Sequence, residues 1–202
     1  LNKGTYVNVF GGNDAGGLTS TSNILFKSTT AENIYGGGNK AEVVTTNVTI
    51  EGGQITNVYG GGNEAVVTTS NVDIKAGTIT NVYGAGNQAG ADTANVNLNN
   101  GTITSVYGAG NQAGADTTNV KAYIDTSTAN IINVGNVYGG SNQSGEVINA
   151  NVVIDTGTYN QVFGGNNAGG TVTTSNVTLT SGTLTNVFGG GNSAAVGTAN
   201  VT

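Results

Sequence analysis

One feature constrains this chain more than any other: it repeats itself every 24 or 25 residues. An aromatic residue followed by glycine stands at Phe10, Tyr35, Tyr59, Tyr83, Tyr107, Tyr138, Phe163 and Phe188. A second landmark, asparagine before an aliphatic residue, falls at Asn23, Asn47, Asn71, Asn95, Asn119, Asn151, Asn176 and Asn200. One interval is 31 residues long, with the excess between Tyr123 and Gly135. Two neighbouring units are near copies, since YGAGNQAGAD occurs at 83–92 and again at 107–116.

The pattern inside a unit selects the kind of repeat. Asn71, Val72 and Ile74 belong to a stretch that alternates apolar and polar residues, which is strand behaviour. No unit holds an amphipathic helical stretch, and glycine, threonine, asparagine and valine all disfavour helix. A unit this short cannot make a four-stranded propeller blade. The expected fold is therefore all-β: a parallel β-helix (β-solenoid), right-handed by the crossover rule, of about eight coils with one longer coil. Residues 1–202 read as a single solenoid domain, and neither end looks like a polar capping repeat. A segment of a longer array or a protomer that stacks end to end is expected.

In such a rod, equivalent side chains stack into columns. Four are apolar and predicted to form the core: those of Val48, Ile50, Ile55 and Val58 in one coil, with their equivalents one period away. Ile79 and Val82 are three residues apart, so the strand is expected to bend at Asn81. The column containing Asn81 runs from Asn8 to Asn186 and is read as a structural amide stack. Glycine triplets such as Gly60–Gly62 and the AGT or NGT tripeptides are read as turns, where positive φ suits glycine.

Composition removes most chemistry. Gly (35), Asn (31) and Thr (31) supply almost half of the 202 residues, and Cys, His, Met, Trp, Pro and Arg are absent. Disulfides, zinc or haem sites, thiol nucleophiles and histidine bases are thereby excluded. Five lysines face eleven carboxylates, a net charge of -6 that argues against nucleic-acid partners. Apolar runs reach only about four residues, too few for a membrane span. The glycine-rich turns lack the Lys-Ser/Thr ending of a phosphate loop.

Four constellations are left to weigh. Asp92 and Asp116 stack through the duplicated unit, and are either solvated acids, a calcium bridge, or at the margin an acid–base pair of a polysaccharide-active enzyme. The glycine-rich turns lack the nine-residue period of calcium-binding rolls. Tyr35, Tyr59, Tyr83, Tyr107 and Tyr138 follow core positions, so they either stack half-buried against the glycine turn or point outward as a glycan-contacting stripe. Thr78, Thr80, Thr102, Thr104, Thr183 and Thr185 flank core residues as Thr-x-Thr. They are either ordinary exposed strand residues or a flat binding face, with pairs about 6.7 Å apart along the strand. Asn-x-Thr triplets at Asn47, Asn176 and Asn200 arise from the repeat itself.

The VYGGGN-type array, with Thr- and Asn-rich strands and no cysteine, resembles the repeat regions of large bacterial cell-surface proteins and adhesins. That resemblance covers the whole chain and is architectural. It implies an exported, extracellular or cell-surface protein with a structural or adhesive role as a stalk or filament. Its partners would be neighbouring repeats, a second copy end to end, or a glycan or host surface. The chain is expected to be non-enzymatic and without a resident cofactor. The Thr-x-Thr rows resemble the flat faces of β-solenoid antifreeze proteins and imply ice binding as the alternative.

Overall fold

A computed structural model of the chain describes residues 1–123 and 132–202, so most of the excess in the long coil lies outside the described residues. It is an all-β parallel solenoid of about eight turns. Each coil has a leading limb, an elbow, a trailing limb and a glycine loop. In two coils the limbs run on as single strands, Val43–Tyr59 and Val67–Tyr83; elsewhere they are separate, as in Ala91–Leu98 and Gly101–Tyr107. All fourteen strands among the described residues join one sheet, and every pairing is parallel and follows the period, apart from a register shift around Glu51 at the elbow between the two long strands.

The expected core columns form. Val48, Val72, Val96, Val120 and Val152 stack on the leading limbs, and Val58, Val82, Val106, Val137 and Val162 on the trailing limbs, all almost fully buried. Ile50, Ile74, Leu98 and Ile154 pack with Ile55, Ile79 and Ile103 in the same cluster, closing the space between the two limbs. A second, smaller core fills the space under the glycine loop, where Val43, Val67 and Val147 meet Ala85 and Ala109. Each buried aliphatic side chain contributes about 1.5–3 kcal/mol.

Two expectations need correcting. The alternation of the trailing limb breaks across both Thr80 and Asn81 rather than at Asn81 alone: both lie off the core between buried Ile79 and Val82, and the pair at Thr80 is missing from the ladder. The glycine triplets also do not owe their glycines to positive φ, which none of Gly36–Gly38, Gly60–Gly62 or Gly189–Gly191 adopts. A Cβ on Gly60 would overlap the carbonyl oxygen of Gly84, and one on Gly84 that of Gly108. Glycine is needed there because the loops of successive coils approach backbone to backbone. Positive φ occurs instead at elbow glycines such as Gly77 (121°), Gly101 (125°) and Gly157 (103°), and late in some loops at Gly17, Gly145 and Gly170.

Buried hydroxyls tie the leading limb to the glycine loop. Ser22 donates to the Gly36 carbonyl at 2.7 Å, and Thr46, Ser70, Thr118 and Ser175 donate to Gly60, Gly84, Gly139 and Gly189. Ala94 and Ala150 take the corresponding places in the remaining inner coils.

Candidate functional site

The side chains with the most regular geometry are amides. In the column of Asn23, Asn47, Asn71, Asn95, Asn119, Asn151, Asn176 and Asn200, each Nδ2 donates to the Oδ1 one coil earlier, at 2.9–3.1 Å without a gap. A second unbroken ladder runs along the glycine loops from Asn39 through Asn63, Asn87, Asn111, Asn142 and Asn167 to Asn192. It ends on the carboxylate of Asp14, which accepts from Asn39 at 2.8 Å. The column expected to be an amide stack is the weakest of the three. It bonds from Asn81 to Asn57, Asn33 and Asn8, then breaks at Ser105. Of the two complete ladders only the first was a sequence landmark; the second was missed, although the asparagine that recurs after the glycines of each loop was its signal.

The aromatic column is internal. Tyr35, Tyr59, Tyr83, Tyr107 and Tyr138 are only 4–7 % exposed, which corrects the outward glycan stripe. From Phe10 to Phe188 the rings lie 4.7–5.0 Å apart and within 11° of parallel. Both faces of every inner ring are covered by other rings, leaving none for a sugar. Strand alternation does turn Tyr59 away from the Val58 core, and stacking on its own copies then buries it. Burial pushes the Tyr83 phenol up to about 12, with the neighbouring Tyr107 adding to the shift. The Tyr35, Tyr107 and Tyr138 phenols are raised chiefly by the same desolvation.

The six threonines of the Thr-x-Thr rows, Thr78, Thr80, Thr102, Thr104, Thr183 and Thr185, are exposed, as expected. Thr78 and Thr102 stand in register, and the row passes through Asn133 and Thr158 to Thr183. The second column is different. Thr80, Thr104 and Thr185 sit at the position the ladder skips, and Gly135 interrupts the column, opening a shallow cleft with Asn133, Thr158 and Asn160. The rows are thus less flat than two strand positions imply.

Asp92 and Asp116 are exposed and line one shallow cleft of about 260 Å³ with Gly90, Gly114 and Glu146. Among the described residues no group of three or more Asp or Glu is arranged to hold a metal ion, so nothing there adds to the calcium alternative for Asp92 and Asp116. Other charges pair on the surface: Lys75 lies 3.9 Å from Glu51 and 3.8 Å from Asp73, Lys27 3.7 Å from Glu51, and Lys40 3.8 Å from Glu64. Burial raises the Asp73 carboxyl above the usual range, against the opposing pull of Lys75 and a hydrogen bond from Asn99. Such exposed pairs contribute at most about 1 kcal/mol each. Among the described residues, no helix is long and apolar enough to cross a membrane.

Comparison with protein-family models, curated proteins and solved structures finds no match for the chain.

Proposed function

We propose that this chain is a non-enzymatic structural module, a stiff β-solenoid shaft of a bacterial cell-surface protein that works outside the cell as a spacer or adhesive stalk. The observation that carries this reading is the unbroken asparagine ladder from Asn23 to Asn200, joined by a parallel ladder and a continuous ring stack. Bonds repeated at every coil distribute a pull along the axis over the backbone ladder and these columns together. Every amide in the ladders points the same way. A further coil, continued in the same chain or brought by a second copy, extends them only head to tail. Single-molecule pulling along the axis tests the role: a shaft resists until coils peel away one after another, and collapse at negligible force is the result that rejects it. Glycan-array binding tests the adhesive part separately.

A second reading, ice binding, rests on the exposure of the threonine rows alone, and the break in the Thr80 column weighs against it. All six threonines are exposed. Thermal hysteresis would establish this reading, and its absence at high protein concentration would remove it.

A further inference from the structure

We propose that Asn100 is a site of spontaneous self-modification in the folded protein. There the backbone nitrogen of Gly101 closes on the Asn100 side-chain amide to form a succinimide, which water then opens. Asn100–Gly101 is the one Asn-Gly pair in the chain, and it occupies the elbow between Ala91–Leu98 and Gly101–Tyr107. The Gly101 N–H already donates to Oδ1 of Asn100 at 2.8 Å. Oδ1 is bonded to Cγ, so this contact holds the nucleophile beside the carbon it must attack. Gly101 has no side chain to obstruct the approach, and its φ of 125° is one that glycine adopts freely. The residues leading into the elbow are held in place, with the Asn99 and Asn100 N–H groups both donating to the Ile74 carbonyl at 2.9 and 3.3 Å. Asn100 is partly exposed, so water has access.

The step balances without an outside oxidant or reductant. A bond forms between Gly101 N and Asn100 Cγ, and the Cγ–Nδ2 bond breaks. Nδ2 leaves as ammonia, taking up the proton that the Gly101 nitrogen gives up. Water then adds to the imide. Cleavage at Cγ leaves aspartate in an ordinary backbone, whereas cleavage at the main-chain carbonyl leaves isoaspartate, with the chain rerouted through Cβ. Either product adds a carboxylate beside Asn99, whose amide bonds to Asp73. The isoaspartyl product also lengthens one elbow in the middle of the rod.

The fold does not need asparagine at this position. The residue before the positive-φ glycine is Ala76, Thr156 or Ser181 in other coils. Asn100→Ala and Asn100→Ser therefore copy elbows the solenoid already contains, and both variants are expected to fold.

The test incubates the intact, folded chain at mildly alkaline pH. Peptide mapping by mass spectrometry follows each amide, and labelling by an isoaspartyl methyltransferase reports the rerouted product. Asn100 is expected to be the first asparagine to lose its amide, and labelling is expected to be lost in Asn100→Ala and Asn100→Ser. The proposal is overturned if another asparagine reacts first. It is equally overturned if Asn100 stays intact in the folded chain while the urea-denatured chain loses it.

Discussion

At the scale of single residues, the same residue type does different work in different columns, and substitution separates the roles. Asn95 accepts from Asn119 and donates to Asn71, so Asn95→Ala removes two bonds and leaves two amides half-paired. A loss of about 1–2 kcal/mol is expected by urea denaturation. Asn81 donates to Asn57 but meets Ser105 on its other side, so Asn81→Ala should cost no more than about 1 kcal/mol. A loss at Asn95 no more than twice that at Asn81 would show that the ladder adds nothing beyond its separate bonds. The buried hydroxyl column predicts a gain. Ala94 occupies the place from which Ser70 and Thr46 reach a glycine carbonyl in neighbouring coils. Ala94→Ser gives the Gly108 carbonyl the same partner and should stabilise the chain by about 0.5–1.5 kcal/mol, read as a higher denaturation midpoint.

At the scale of the elements, the trailing limb shows how strand alternation and stacking combine. Val58 enters the main core and Tyr59 leaves it, yet both are buried, because the ring column forms a small core of its own. Stacked aromatic pairs contribute about 0.5–1.5 kcal/mol beyond the area they bury. That column carries a pH dependence. A phenol raised in the folded state stabilises it fully below the unfolded value of about 10. The contribution is lost as pH rises from there toward the Tyr83 value of about 12. Alkaline unfolding is therefore expected across that interval by circular dichroism. Replacing Tyr59, Tyr83 and Tyr107 together with Phe should move the transition upward, since Phe163 already occupies the same column. An unchanged alkaline transition in that variant would place its origin elsewhere.

At the scale of the whole molecule, each coil contacts only its neighbours, so length is a free variable. Deleting residues 84–107 joins Tyr83 to Gly108 and restores the local sequence Tyr-Gly without a scar. The shortened chain should keep its β-sheet spectrum and lose about 4.8 Å of length, measurable by small-angle scattering. Loss of the fold on removing one unit would mean that the coils are not independent modules.

The architecture was legible because parallel, in-register coils place like upon like. Once the period is known, the columns of Val58, Val48 and Ile50 follow by counting. What sequence alone could not rank was which columns the closed coil would cover. Tyr59 faces away from its core, and only the approach of Tyr35 and Tyr83 across successive coils buries it. Nor does spacing show that Thr80 drops out of the ladder, since that depends on how the trailing limb bends toward its glycine loop. Periodicity thus determined which residues meet along the axis. The tertiary closure of each coil decided which of them face water, because burial across the rod depends on how the limbs and loop come together.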